Sequence, residues 1–300
     1  MKITKTFAFR IIITLFSVLG FACTSNQEGN NKKINLDPED SIAIPKKVIK
    51  IFYNVPTPTE MVDLIRHDQS AFYLELLNPV ENAQKYTSSG AIAKNIGVYG
   101  VDLSYVKIFG HQQNAMSYLS TLKDMFKKIG IPQDQAMSVF GKIEESVANS
   151  DSLLKNINES YQNVNKYLKD NERESTAACI FLGGWIEAMY IAAEIYSKDT
   201  SRIDIQDRLL IQKYSLNALI DLIGKNSKDV QLSVYYERLL VLKKSFDKVK
   251  IDYINSQALN DTTSRTITIT GDRLQIKNRE QYSFIVSIIR DMRKMIVSSY

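Results

Sequence analysis

Apolar residues recur along most of the chain at alternating spacings of three and four, which is the period of an α-helix with one buried face. Stripes of this kind lie within residues 115–129, 136–147, 154–168, 209–223 and 285–296. The longest runs in 4-3-4-3-4 order through Tyr235, Leu239, Leu242, Phe246, Val249 and Tyr253. Short connections between predicted helices, such as residues 130–134, favour antiparallel packing of the two helices that they join. This connection begins with Gly130, which is predicted to end the preceding helix. The pattern predicts an all-α fold, either an antiparallel helix bundle or stacked helical hairpins.

Two segments have β character instead. Residues 48–53 are β-branched or aromatic, which favours a strand or an extended segment leading into the helices. Residues 266–276 alternate with a period of two around Gly271-Asp272, and a two-residue turn there would place Ile269 opposite Leu274. A lone hairpin is marginal in water, so its apolar face must pack on the helices. We therefore expect one small C-terminal β-hairpin at about 265–277, within a single domain over 46–300.

Residues 1–22 have the pattern of an export signal, predicted here as a lipoprotein signal peptide. Basic residues precede an apolar run within residues 11–22, and the small residues Gly20 and Ala22 close it. The run is shorter than the ~20 apolar residues that span a bilayer, which favours a cleaved signal over a transmembrane helix.

Cys23 follows directly after Leu19-Gly20-Phe21-Ala22, and this junction resembles the lipobox of bacterial lipoproteins. The resemblance implies a diacylglycerated thiol, cleavage before Cys23 and acylation of the new amine, for example by palmitate. Two positions depart from the family pattern: the usual leucine is displaced to Leu19, and Phe21 is bulky. Gly20-Phe21-Ala22 also fits ordinary signal peptidase, so soluble secretion is the alternative to the lipidation that we expect.

The second cysteine, Cys179, lies in an apolar helical stretch, Ala177 to Leu182. If Cys23 is lipidated, Cys179 has no partner, and we expect a small buried residue with an unreactive thiol. The alternative is a Cys23–Cys179 disulfide, which would tie the N-terminal tail to a core helix.

Residues 23–45 are predicted to be a flexible polar tether, with a root-mean-square reach of roughly 25 Å. The full chain has 38 basic and 33 acidic residues, but three of the basic ones precede Cys23 and no acid does. The remainder is near neutral. A concentrated basic face is what nucleic acid requires, so nucleic acid is not an expected partner.

The apolar segment 90–105 contains Gly97 and Gly100, each of which costs ~1 kcal/mol in a helix relative to alanine. Close helix–helix packing or a kink is the favoured explanation. The functional alternative is close approach of the backbone to a ligand, with Asp102 and Tyr105 as polar contacts.

A second candidate surrounds Trp185, the only tryptophan, and Glu187, which lies in an apolar run from Thr176 to Ala193. A buried carboxylate must be paired, hydrogen-bonded or protonated. Glu187 is therefore interpreted as the single solvent-facing polar residue of its helix or as the buried partner of a Lys or Arg. The functional alternative is an acid/base or ligand-contacting group beside an aromatic wall.

No motif in the sequence assigns a cofactor, a metal or a catalytic residue. His67 and His111 are not at zinc-ligand spacing, and Walker, Gly-x-Ser-x-Gly, HExxH and EF-hand patterns do not occur. Both histidines are expected at the surface or at helix ends.

Three segments, 78–87, 97–105 and 183–187, resemble a family of uncharacterised bacterial lipoproteins of the Gram-negative envelope. The resemblance implies a mostly helical fold, lipid-anchored to a membrane and facing the periplasm or cell surface. The preferred function is a non-catalytic binding or scaffold module for another envelope protein or a small ligand. The alternative is a hydrolase of an envelope or extracellular substrate, in which Asp102 and Glu187 share a pocket within about 10 Å of each other.

Overall fold

The computed structural model describes residues 47–52, 62, 71–132, 150–254, 257–261, 266–271 and 273–298. The predicted export signal, Cys23, the predicted tether and His67 lie outside the described residues, as does the stripe at 136–147. From Ile44 to Tyr300 the chain forms one compact unit.

The mainly helical fold is confirmed. The described residues contain eight α-helices: α1 (Ser89–Ile108), α2 (Gln112–Lys128), α3 (Ser150–Asp170), α4 (Glu174–Lys198), α5 (Ile203–Ile211), α6 (Lys213–Lys225), α7 (Val230–Lys248) and α8 (Gln281–Val297). Two short 3-10 helices, Leu74–Leu76 and Val80–Gln84, precede α1.

Local chemistry sets several helix ends. Ser88 begins α1 by accepting a hydrogen bond from the amide of Ala91 (3.2 Å), and Asp229 begins α7 through the amide of Gln231 (2.9 Å). The predicted stop at Gly130 is confirmed: α2 ends two residues earlier, and Gly130 adopts φ +71°.

Helices α1 and α4 form the centre of the body, and both are buried along nearly their whole length. They pack at glycines, because a Cβ on Gly97 would lie 2.0 Å from the Ile180 carbonyl oxygen and one on Gly183 would lie 1.8 Å from that of Lys94. On another side, Tyr161 of α3 occupies the space over Gly100 and donates to the Ile96 carbonyl at 2.9 Å. Close packing, the favoured explanation for these glycines, is confirmed.

Helix α4 is the one described helix that is long and apolar enough to cross a membrane. However, 83% of its apolar stretch is buried inside the protein. The same composition suits the central helix of a bundle, and that is the position α4 has here.

Within the part of the chain that the structure describes, five strands form two small antiparallel sheets: β1 (Lys47–Phe52), β2 (Lys250–Ile254), β3 (Gln257–Asp261), β4 (Thr266–Gly271) and β5 (Arg273–Lys277). The first sheet has the order β1-β4-β3, and the second is the pair β2-β5. The predicted strand near residue 48 is therefore present as Lys47–Phe52, and a small C-terminal β element is present as well.

The partners predicted for β4 and β5 were wrong. Ile269 lies opposite Ile49 and Ala258, and Leu274 lies opposite Tyr253, so the two strands do not pair with each other across Gly271-Asp272. The physical reason is that both edges of β4 are hydrogen-bonded in the observed sheet, one to β1 and the other to β3. A two-stranded hairpin would leave one edge of β4 without backbone partners.

Candidate functional site

The most polar part of the core lies between the two central helices. Asp102 projects from α1 and Glu187 from α4, and both are 0% exposed. Both connect to the chain that precedes α1, because the Asn78 amide donates to Asp102 and the arginine that pairs with Glu187 donates to the Leu76 carbonyl. The two residues of the hydrolase hypothesis therefore lie in the same part of the interior of the bundle.

Glu187 is ion-paired with Arg293 of α8. Arg293 donates from Nε to Oε2 at 3.0 Å and from Nη2 to Oε1 at 3.1 Å, so both carboxylate oxygens are used. Nη2 also donates to the Leu76 carbonyl at 3.2 Å, and the guanidinium lies 4.6 Å from the centre of the Tyr190 ring. Glu187 is therefore the buried partner of an arginine, one of the two structural interpretations proposed for it.

Asp102 has no such cation of its own. Oδ2 accepts a hydrogen bond from the amide of Asn78 at 3.1 Å, whereas no donor among the described residues reaches Oδ1. Burial first, and then the negative charge of Glu187, raise the pKa of Asp102 well above its usual range, and Arg293 offsets only part of this. Asp102 therefore favours its protonated, neutral form more than a solvent-exposed aspartate does.

Asn78 is the hub that connects this pair to the preceding loop. Its Nδ2 donates to Tyr86 Oη (2.9 Å) and to Asn95 Oδ1 (3.3 Å), while its Oδ1 accepts from Asn82 (2.8 Å). Its carbonyl accepts from Tyr118 Oη of α2 at 3.1 Å. Asn78 is buried, so each of these bonds forms away from bulk water.

The same network closes the end of α8. Asn95 donates to the Ile296 carbonyl at 3.1 Å, and Tyr86 donates to the Val297 carbonyl at 3.2 Å. These carbonyls are among the last of the helix and have no partner within it. The polar core therefore fixes α8 to α4 through Glu187–Arg293 and to α1 through the bond from Asn95.

The surrounding tyrosines act as neutral hydrogen-bonding groups. Burial raises the pKa of Tyr86, of Tyr99 and of Tyr118, and the phenols keep their protons. Tyr99 donates to the Pro79 carbonyl at 2.8 Å, which holds the second 3-10 helix against α1.

The other predicted ligand contacts are also buried. Trp185 is 0% exposed and donates from Nε1 to Ser215 Oγ at 2.9 Å. The Oη of Tyr105 accepts from the Tyr73 amide at 3.1 Å, and burial raises the pKa of Tyr105 to about 12. Both side chains have structural partners.

The remaining sequence-based predictions concern Cys179 and His111. Cys179 is a buried free thiol, and burial raises its pKa to about 11, as expected for an unreactive cysteine. His111 occupies the N-cap position of α2 and stacks on Phe72 with ring centres 3.7 Å apart. Among the described residues, no three His, Cys, Asp or Glu side chains are grouped as metal ligands would be.

Two neighbouring carboxyl groups, one with a raised pKa, are capable of general acid–base chemistry, but only where a substrate can reach them. A surface groove of about 380 Å³, lined by Lys169, Glu174 and Lys225 among others, does not include either Asp102 or Glu187. In the conformation described, the carboxyl pair is a closed element of the core.

Sequence reasoning missed three members of this network: Arg293, Asn78 and Asn95. A signal existed for Arg293, which lies four residues after Ile289 and three before Ile296, within the apolar stripe of α8. A charge in such a stripe indicates a buried partner. Asn78 had no comparable signal, because it lies in irregular chain before Pro79.

Comparisons of the chain with family models, with curated proteins and with solved structures gave no match. Inference about function therefore starts from the chain's own residues.

Proposed function

We propose that this chain is a lipoprotein anchored through Cys23 to a bacterial envelope membrane, and that its helical body is a non-catalytic binding or scaffold module. The observation that carries the second part is the closure of the carboxyl cluster. Asp102 and Glu187 have no exposed surface, and Arg293 occupies both oxygens of Glu187. These groups join α1, α4 and α8, which is the role of polar residues in a rigid frame.

The anchor rests on the sequence alone. An apolar run in residues 11–22 precedes Cys23, and a segment without apolar residues, 24–33, follows it. A tether with a reach of roughly 25 Å would place the body close to the membrane, on the periplasmic or outer side, beside other envelope proteins. A partner protein or small ligand in that layer is the occupant that the proposal implies.

Lipidation makes the first testable prediction. We expect the intact mass of the membrane-extracted protein to include the acyl groups and to lose them in Cys23→Ser. Cys179→Ser is the matched control, since these are the only two cysteines, and it should remain acylated. An unmodified wild-type chain in the medium would instead support soluble secretion and refute the anchor.

The scaffold role is tested by co-purification of envelope proteins with the anchored chain. The Cys23→Ser chain and an unrelated lipoprotein serve as controls. A partner enriched with wild type over both controls supports a membrane-localised module. No enrichment over the unrelated lipoprotein counts against it.

The hydrolase alternative is favoured by one observation, the burial of Asp102 close to the negative charge of Glu187, which together raise the pKa of Asp102. It requires the core to open to a substrate. It predicts hydrolysis of glycoside or peptide substrates by wild type, with loss of activity in Asp102→Asn and in Glu187→Gln while both variants stay folded. Activity of that kind would replace the scaffold proposal.

A further inference from the structure

The Asp102 carboxyl group lies where a negative charge, added to that of Glu187, would have few groups to stabilise it. Its side chain is fully enclosed, one oxygen accepts a single amide hydrogen bond from Asn78, and the other has no donor among the described residues. An isolated buried carboxylate is very costly, and such a group takes up a proton instead. The Glu187 carboxylate on the neighbouring helix is the anion that interacts with Asp102, and a carboxylate can accept a hydrogen bond from a protonated acid.

The charged and titratable groups around this pair come from every helix packed on it. Arg293 of α8 is the cation that faces both carboxyl groups, and Glu187 of α4 is the facing anion. The phenols of Tyr118 on α2, Tyr161 on α3 and Tyr99 on α1 itself complete the shell. Burial raises the pKa of each phenol, so they stay neutral across the range considered below.

We propose that the chain takes up one proton when it folds, that Asp102 and Glu187 share this proton, and that it locks α1 to α4. Without the proton, two buried carboxylates would face each other, with the single guanidinium of Arg293 to balance both. Like charges would then repel each other between the two central helices, which the glycines bring close together. This device goes beyond the proposed function and does not depend on lipidation.

The sign of the pH dependence follows from proton counting. In the unfolded chain both carboxyl groups are ionised above about pH 5. The folded pair keeps one proton there, because the pKa of Asp102 is raised. The folded state thus binds more protons than the unfolded state, and stability falls as pH rises from about 5 to the folded pKa. Below the pKa values of this group in both the folded and the unfolded chain, its contribution to the free energy of unfolding no longer changes with pH.

Asp102→Asn is the variant that isolates the proton. An asparagine side chain can accept from the Asn78 amide through its oxygen and donate to Glu187 through its nitrogen, as the protonated acid does. We expect the wild-type unfolding constant, relative to that of Asp102→Asn, to rise tenfold per pH unit above pH 5, which is about 1.4 kcal/mol per unit. Asp207→Asn is the matched control: Asp207 is buried but ion-paired with Arg279, and this variant should keep the wild-type profile.

Infrared spectroscopy of the full chain provides a second readout. Folded wild type at neutral pH should show the C=O stretch of a protonated carboxylic acid, which Asp102→Asn should lack. If that variant does not fold, the loss of the band on thermal unfolding of wild type decides the question. Parallel pH profiles for wild type and Asp102→Asn, or no such band in folded wild type, would overturn the proposal.

Discussion

Arg293→Met should lower the free energy of unfolding by about 3–5 kcal/mol, the usual cost of removing one partner of a buried ion pair. Glu187 would lose the guanidinium that bonds both of its oxygens at a site with no exposed surface, and the Leu76 carbonyl would lose its donor as well. Urea denaturation followed by fluorescence measures this directly, because Trp185 is the only tryptophan and lies in the core beside Glu187 on α4.

Arg290→Met is the matched control for that loss. Arg290 lies one turn earlier on α8 and pairs with Glu194, but its side chain is 46% exposed. Pairs of this kind contribute about 0–1 kcal/mol, so this variant should stay close to wild type. An equally small loss in both variants would mean that Arg293 is not holding a buried charge.

Gly183→Ala should cost about 1–3 kcal/mol, the range typical of overpacked cores. The added Cβ would lie 1.8 Å from the Lys94 carbonyl oxygen, which belongs to the backbone of α1 and cannot rotate away. Gly97→Ala meets the Ile180 carbonyl at 2.0 Å and should behave in the same way. Thermal unfolding of the two single variants and the double variant gives the comparison.

Gly224→Ala separates this steric effect from the general preference of helices for alanine. Gly224 lies within α6, and its nearest contact is the ring of Tyr236 at 3.0 Å, a side chain with some freedom to move. Alanine favours a helix by up to ~1 kcal/mol over glycine, so the Gly224 variant should be neutral within that amount. If Gly183→Ala were neutral or stabilising, as an alanine without a steric clash would be, the close approach of α1 and α4 would be refuted.

The helices were predictable because their signal is local. A 3-4 stripe reports which face of a helix is buried, and the stripes of α2, α7 and α8 correspond to residues that are buried in the structure, such as Leu119, Leu239 and Ile289. Gly97 and Cys179 were interpreted correctly for the same reason: each interpretation needed only the helix in which the residue lies.

Pairings between distant parts of the chain were not predictable. Strand β4 joins β1, more than 200 residues earlier, and no local alternation reveals that partner. The cluster around Glu187 also depends on contacts between distant residues. Arg293 follows Glu187 by 106 residues, and Asn78 belongs to the loop before α1. The sequence identified Glu187 as a residue that needs a partner, and the fold determines that the partner is Arg293.

The protonation state of Asp102 is even harder to predict from the sequence than its contacts. An aspartate on an apolar helix is compatible with an exposed position, an ion pair or a neutral acid. Only the enclosure of its side chain, the single hydrogen bond from Asn78 and the facing carboxylate together select the neutral form.

A double-mutant cycle on Glu187 and Arg293 tests most directly whether the polar cluster is a structural element of the core. The free energies of unfolding of wild type, Glu187→Gln, Arg293→Met and the double variant give the coupling between the two side chains. We expect a coupling free energy of at least about 2 kcal/mol, with the double variant more stable than Arg293→Met alone. A coupling below about 0.5 kcal/mol, as for a solvent-exposed pair, would contradict it.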